Sequence, residues 1–311
     1  MLKTNEGASV TISGSLDAAL TGTAERPLAV VLAAGRGARM GSDLPKVLFE
    51  AAGKTLVRWV LDTLTAAGID QQIVVVGYKA ELVRRSLENV TGVVFVTQQE
   101  QRGTGDAVAA AAGLIAQQCV VLPASDASYD PEQASNPADA TSSRRPIVIV
   151  CGDSPMLRAQ SVAELLQQFA ARRASCLLGT AVATDPRGLG RIVRNKAGGF
   201  EKIVEEKDAT PAEREICEVN MSTYVFAAGD LLRALSRLKN KNASGEYYLT
   251  DCPGLLLAEG CVVDAVACLD LSETLSVNTP DQLAAVAAAL NLRFGEATGS
   301  DGPEPFHRSS F

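Results

Sequence analysis

From Pro27 onward the chain alternates short, continuous apolar runs with longer stretches whose apolar residues recur at helical spacing, and this alternation limits the fold more than any other feature. Val- and Leu-rich runs read as strands buried on both faces, and the segments between them as the helices that cover those faces. The spacing predicts strands at 28–34, 72–77, 92–97, 147–151, 175–183, 219–226 and 261–267, with further strands inside 190–206. Helices are predicted over 55–67, 79–88, 104–117, 159–172, 229–239, 251–259 and 279–292. Strand–helix units of this length join by right-handed crossovers into a mostly parallel sheet, so the fold class is α/β. With 311 residues and 47% hydrophobic content the chain can bury a large core, as two domains or as one large α/β domain.

Residues 1–26 hold small polar residues without periodicity and are expected to be a flexible extension. The domain itself is expected over 27–294, followed by a flexible tail over 295–311. Pro, Ser, Asp, Asn and Ala fill 122–146 up to Arg144-Arg145, an expected inserted surface loop, either functionless or a lid or partner contact. A net charge of −7 argues against nucleic-acid binding, which needs a basic face to displace phosphate counterions. The seven cysteines are scattered, without Cys-x-x-Cys spacing, and no segment has signal-peptide or membrane-span character. A cytoplasmic protein that meets no membrane is expected, with its oligomeric state open. The only histidine is His307, so His-assisted nucleophilic or acid–base chemistry is not expected.

The chemistry starts at the end of the first strand, where Gly35 and Gly37 can turn backbone N–H groups toward an anion with Arg36, Arg39 and Lys46 close by. This is not a dinucleotide fingerprint, because Met40 stands where the third glycine belongs, nor is Gly53-Lys54-Thr55 a Walker loop, because Leu48 stands where its first glycine belongs. Lys54 is expected to be an ordinary turn residue. Asp153, in Cys151-Gly152-Asp153-Ser154-Pro155 at the end of an apolar strand, is either a metal ligand or a turn former. Asn278, ahead of the last helix, is either a second ligand or that helix's N-cap. In Gln98-Gln99-Glu100-Gln101-Arg102-Gly103-Thr104-Gly105, glycines admit a flat ring and amides offer a donor and an acceptor in one plane.

The run from Leu32 to Lys46 closely resembles the signature of the sugar nucleotidylyltransferases, in particular the uridylyltransferase domain of N-acetylglucosamine-1-phosphate uridylyltransferases. Further matches follow in order to about Leu292: Gly188-Leu189-Gly190-Arg191-Ile192, Val204-Glu205-Glu206-Lys207-Asp208-Ala209-Thr210, Asn242-Ala243-Ser244-Gly245-Glu246-Tyr247-Tyr248-Leu249-Thr250-Asp251 and Val277-Asn278 with Gln282-Leu283. The resemblance implies a Rossmann-like nucleotidyltransferase fold with a mixed, mostly parallel sheet flanked by helices. It implies that Ala33, Ala34, Gly35 and Gly37 wrap the triphosphate, that Arg39 and Lys46 neutralise it, and that Asp153 and Asn278 bind Mg²⁺. Gln98, Gly103 and Thr104 are then assigned to uracil, and Gly190, Glu205 and Asn220 to the sugar. The reaction implied transfers UMP from UTP to N-acetylglucosamine 1-phosphate and releases pyrophosphate. A sugar 1-phosphate is already ionised at neutral pH, so positioning and charge neutralisation carry the step.

Two departures stand out. Asp106 replaces the histidine usual after Gly-Thr-Gly, and Met221-Ser222 replaces the Thr-Gly usual after Asn220. The second would reshape the sugar pocket, which keeps open another sugar 1-phosphate or another nucleoside triphosphate. A catalytically silent nucleotide-binding protein is the remaining alternative. Many members of the family continue into a left-handed β-helix of hexapeptide repeats; the sequence holds no such repeat, so acetyltransferase activity and the trimer contacts of that β-helix are not expected.

Overall fold

The computed structural model describes residues 26–119, 143–275 and 277–295. The expected extension before Arg26, most of the expected insertion, the tail beyond 295 and His307 lie outside the described residues. In chain order the strands are β1 (Leu28–Ala33), the short pair β2 (Glu50–Ala51) and β3 (Lys54–Thr55), β4 (Gln71–Val76), β5 (Val93–Thr97) and β6 (Pro146–Cys151). They continue as β7 (Cys176–Val182), β8 (Arg191–Arg194), β9 (Phe200–Val204), β10 (Glu218–Ala227) and β11 (Val263–Val266).

The main sheet runs β11-β7-β10-β6-β1-β4-β5, parallel throughout except at β10, which lies antiparallel between β6 and β7. The sheet is therefore mixed and mostly parallel, as expected. The β8–β9 hairpin attaches to β10 through Val219 and Arg191. Central β1 shows why the apolar runs are continuous. Its Ala29, Val31 and Ala33 join one core while Leu28 and Val30 join the other, each at most 2% exposed. Full burial of each larger side chain contributes about 1.5–3 kcal/mol, and a polar residue there would forfeit that on either face.

The first core is closed by α1 (Leu56–Ala66), α2 (Ala80–Ser86) and, after the next two helices in sequence, α5 (Ala159–Arg172), through residues such as Leu61, Val83 and Leu165. The opposite core is closed by α3 (Thr104–Ala110), α4 (Ala112–Cys119) and, past the four-residue α6 (Pro211–Arg214), by α7 (Ala228–Leu235) and α8 (Asp251–Ala258). The last helix, α9 (Pro280–Gly295), packs Val286 and Leu290 against Met40, Leu56 and Trp59 in a third cluster.

The differences from the sequence reading are local. The helix expected over 104–117 is divided at Ala111, whose N–H donates to Val108 O at 2.9 Å and tightens the turn. The β2–β3 hairpin turns on Ala52 and Gly53, both with positive φ (49° and 79°), and its strands are too short to show a period. Lys54 is a strand residue, with its ammonium 4.6 Å from the Trp59 ring centroid and bonded to Asp62 at 2.7 Å. Helix α6 opens on a capping box between Thr210 and Glu213 with Pro211 behind it, a signal the sequence does carry. Helix α9 runs to Gly295, and Phe294 stacks on Trp59 with 4.9 Å between ring centroids.

The surface loop expected to end at 146 stops short of it. Pro146 begins β6, and Arg145 is 7% exposed, donating to Arg26 O at 2.8 Å, to Gln118 O at 2.6 Å and to Gln71 Oε1. A guanidinium reads as a surface residue in sequence; here three carbonyl acceptors at the bottom of the sheet make its burial affordable.

Candidate active site

Parallel strands deliver their C-terminal ends to one rim, and the sheet's direction of winding reverses between β1 and β6, where open α/β sheets leave a crevice. Ala33 and Ala34 lie there buried, at 1% and 6% exposure, so only their backbone can meet a ligand, while Gly35 and Arg36 are exposed. The chain then enters a 3₁₀ turn at Ala38–Met40. Met40, where a dinucleotide fingerprint would need glycine, is a buried anchor in the third cluster. Gly37 has φ +70°, and a Cβ placed on it would lie 2.6 Å from Lys46 Cβ, so the loop closes directly onto the lysine stem. The outer arm is held by Asp43, which accepts from the Tyr78 hydroxyl and the Lys79 ammonium; Lys79 foremost, and then Tyr78, keeps its carboxyl below the ordinary range. Arg36 lies over the Tyr78 ring at 5.3 Å.

Four of the expected residues meet at this corner. Lys46 Nζ pairs with Asp153 Oδ2 and donates to Asn278 Oδ1 at 3.0 Å, and Arg39 Nη2 donates to the same Asn278 oxygen at 3.1 Å. Asp153 follows β6, where Gly152 N donates to Leu32 O at 2.9 Å and ties that turn to the end of β1. The N-cap alternative for Asn278 is answered by Thr279, whose Oγ1 accepts from Gln282 N at 3.3 Å, leaving the Asn278 carbonyl to the two cations.

The loop expected to meet the base follows β5. Gln98 is 5% exposed and its Nε2 donates to Gly103 O at 3.2 Å and to Asp106 Oδ2 at 2.8 Å. Gly103 has φ +114°, and a Cβ on it would stand 2.5 Å from Tyr247 O. Thr104 Oγ1 accepts from Leu249 N at 3.1 Å, Gly105 N donates to Tyr247 O at 2.8 Å, and Tyr247 N donates to Arg102 O at 2.8 Å. The segment from Asn242 to Asp251 is thus a strap across this loop, with Tyr247 and Tyr248 half-buried beside it.

At the other end of the rim, Gly190, Glu205 and Asn220 form one group. Asn220 N donates to Gly190 O at 2.8 Å, and a Cβ on Gly190 would touch Asn220 Cβ at 3.5 Å and Glu205 Oε2 at 3.6 Å. Asn220 Nδ2 donates to Tyr224 OH at 2.6 Å, and its Oδ1 accepts from Ser222 N at 3.2 Å across a bulge in β10. Glu205 Oε1 accepts from Thr250 Oγ1 at 2.9 Å, and burial pushes the Glu205 carboxyl above its ordinary value. A cavity of about 150 Å³ lies between Asn220 of this group and Asp153 of the corner, lined also by Leu189, Met221, Ser222 and Glu273. The larger cleft, about 890 Å³ between α1, α5 and α9, holds none of the expected site residues.

Sequence reasoning passed over the supports of two expected residues: Thr250 orients Glu205 across 45 positions, and Arg102 with Asp106 holds Gln98, a pair whose trace in the sequence is a basic and an acidic residue at i and i+4. Ser222, in one of the two departures, takes φ +50° beside Cys151, whose thiol burial pushes up to about 12.

Fold and site together define an α/β nucleotidyltransferase: a glycine turn at the switch point, two cations, a carboxylate and an amide at its centre, with separate groups toward either end of the rim. A family model described as the MobA-like NTP transferase domain matches residues 29–249, and the chain belongs to that family. The chain is 39% identical over 268 residues to the bifunctional protein GlmU of Shouchella clausii, covering 86% of this chain and 53% of that protein. It is 40% identical over 268 residues to GlmU of Exiguobacterium sibiricum, covering 86% and 54%. The chain therefore spans about half the length of the curated relatives it matches. Among solved structures, a Bacillus anthracis protein assigned as a glucose-1-phosphate thymidylyltransferase and solved with sucrose superposes with TM-score 0.63 at 15% identity, over 85% of this chain and 94% of that one. A UDP-glucose pyrophosphorylase bound to UDP-glucose gives TM-score 0.63 at 12% identity, over 86% and 100%. Both show the fold.

Nucleotidyltransferases of this family generally use a divalent metal. The donor chemistry here fits one: an Asp153 carboxylate oxygen and an Asn278 carbonyl oxygen already converge on a single cationic atom, Lys46 Nζ. Two protein oxygens suit a small hard cation that takes its other ligands from substrate phosphates and water. Among the described residues no helix is long and apolar enough to cross a membrane.

Proposed function

We propose that the protein transfers UMP from UTP to N-acetylglucosamine 1-phosphate, giving the UDP-sugar and pyrophosphate, with Mg²⁺ as the metal, in a cytoplasmic setting. The observation that carries the reading is the convergence of Arg39, Lys46, Asp153 and Asn278 on one point of the rim, between the Gln98 loop and the Gly190–Glu205–Asn220 group.

In this reading the backbone from Ala33 to Gly37 cradles the triphosphate, while Arg39 and Lys46 hold its charge and take up the charge that develops on departing pyrophosphate. Asp153 and Asn278 would hold Mg²⁺, which supplies further charge neutralisation between phosphate groups when bound. Gln98, Gly103 and Thr104 place the base; Gly190, Glu205 and Asn220 place the sugar so that its phosphate oxygen faces the α-phosphorus. No protein group has to remove a proton from the attacking oxygen, in keeping with a corner built from two basic side chains, an aspartate and an amide.

A second reading keeps the chemistry and changes the sugar. Ser222 holds a left-handed backbone at φ +50°, which costs an L-residue roughly 1–2 kcal/mol, on the wall of the cavity that Asp153 and Asn220 share. The deciding experiment is pyrophosphate release with UTP and N-acetylglucosamine 1-phosphate, with and without Mg²⁺, beside glucose 1-phosphate and the other nucleoside triphosphates. Magnesium-dependent release with the acetylated sugar supports the first reading, release only with another sugar the second. No release from any pair removes both.

A further inference from the structure

Gln98 is a buried amide in the loop after β5, and its two donor hydrogens are both spent inside the protein, on Gly103 O at 3.2 Å and on Asp106 Oδ2 at 2.8 Å. Its Oε1 accepts from no group of the described residues and is not among the sealed, unpartnered atoms, so it is open to a ligand. Asp106 is itself held: its other oxygen, Oδ1, accepts from Arg102 Nη2 at 2.8 Å and Nε at 3.2 Å. An ionised carboxylate only accepts hydrogen bonds. Turning the Gln98 amide over would therefore set its oxygen against two acceptors at once, a carboxylate oxygen and the Gly103 carbonyl. The amide has one allowed orientation, and that orientation offers the ligand an acceptor.

From this we infer that Asp106, fixed by Arg102, is a positioning residue for base selection: it presents Gln98 Oε1 as an obligatory acceptor and so selects a pyrimidine with a protonated N3, as in uracil, over cytosine, whose N3 is itself an acceptor. The inference rests on the nucleotidyl-transfer reading above and adds the origin of its base preference. Matching a polar edge is also where large discrimination comes from, since the wrong base leaves buried polar groups facing each other. Arg102 is an exposed partner, its side chain 56% accessible, and exposed ion pairs contribute little to folding, so the pair can be altered without loss of the fold.

The test uses the full chain with Asp106→Asn, whose side chain can donate as well as accept, with Asp106→Glu as the conservative variant and Arg102→Met as a second route to the same loosening. UTP and CTP binding are measured by titration calorimetry, and their turnover by pyrophosphate release. The UTP-to-CTP affinity ratio is expected to fall at least tenfold in Asp106→Asn, less in Arg102→Met, and to be largely kept in Asp106→Glu, with unchanged melting temperatures. A purely structural role for Asp106 would lower both affinities together and leave the ratio alone, and that result overturns the inference, as does equal binding of UTP and CTP by the unsubstituted chain. A chain that prefers UTP in binding, loses the preference in Asp106→Asn and yet turns over neither nucleotide supports this inference while removing the transferase reading.

Discussion

Gly37→Ala tests the claim that the glycine turn exists to set Lys46. Two independent costs arise. At φ +70° an alanine pays roughly 1–2 kcal/mol for the left-handed backbone. Its Cβ would also stand 2.6 Å from Lys46 Cβ and 3.2 Å from Cγ, the root of that side chain rather than its flexible end, so the contact cannot be relieved by a rotamer. Overpacking of this kind costs about 1–3 kcal/mol, for a total of about 2–5 kcal/mol if the loop stays in place. If it moves instead, restoring an ordinary separation displaces Lys46 by about 1 Å, a misplacement that can cost on the order of 10²-fold in rate. Either route is visible: urea unfolding of the ligand-free chain reads the first, and kcat/KM from pyrophosphate release the second. Gly35→Ala is the internal control for stability, because no atom lies within 4 Å of its added Cβ and its φ is not positive; its unfolding free energy should stay within about 0.5 kcal/mol of the parent. A Gly37→Ala protein with parental stability and kcat/KM within threefold of the parent would refute the argument.

Asp153→Ala is expected to lower kcat by at least about 10³ with an unchanged far-ultraviolet circular dichroism spectrum, since it removes one of the two oxygens that meet at Lys46 Nζ; near-normal turnover would cancel the metal assignment. Glu205→Gln should stabilise the protein at neutral pH while weakening sugar-phosphate binding. Burial raises the folded-state pKa above the ordinary 4.5, so the folded state holds the proton more tightly, and stability present below 4.5 is lost as pH rises from there through the folded value. Glutamine cannot ionise, so the urea midpoint of the variant should exceed the parent's at pH 7 and match it near pH 4; the opposite order would show that ionised Glu205 is favoured. Arg145→Met should cost about 1–3 kcal/mol in urea unfolding, because it removes three charge-assisted hydrogen bonds of a buried guanidinium that tie Arg26, Gln71 and Gln118 together, and a shift below about 0.5 kcal/mol would return Arg145 to the surface loop.

The parallel centre of the fold was readable because a strand covered on both faces is apolar over its covered length, as β1 and β6 are throughout and β4 is from Ile73 on. The residues that meet at the corner, Arg39, Lys46 and Asp153, drew attention because they follow two apolar runs that read as strands, while the phosphate and metal roles proposed for them came from the family resemblance. What stayed hidden depended on pairs distant in sequence. Glu205 alone looks like part of a solvated charge run, and only the fold brings Thr250 and Gly190 to it. Arg145 looked like the end of a polar loop because its three acceptors come from Arg26, Gln71 and Gln118, which no local pattern connects. Asn278 could have capped its helix; that Thr279 does so instead is a choice between adjacent residues that only coordinates decide.

In the proposed reading, the single antiparallel strand of the main path lets the two halves of the reaction share one rim. Every parallel strand brings its C-terminal end there, and a sheet of parallel strands alone would offer only the turns that follow strands. Because β10 runs the other way beside β6, with Tyr224 opposite Ile149 and Ala227 opposite Pro146, it is the first half of β10 that reaches the rim. Asn220 thus arrives next to the turn that carries Asp153, and the hairpin β8–β9, joined to β10 at Val219, brings Gly190 and Glu205 with it. The bulge between Asn220 and Thr223, with Ser222 held at φ +50°, falls where β10 passes the end of β6. Bulges re-aim side chains at such places, and this one sets the distance between the Gly190–Glu205–Asn220 group and the corner that carries Asp153. In the proposed reading a change at Met221 or Ser222 should accordingly alter the ratio of kcat/KM between sugar phosphates while keeping the UTP-to-CTP ratio, both read from pyrophosphate release; a changed nucleotide ratio with an unchanged sugar ratio would refute it.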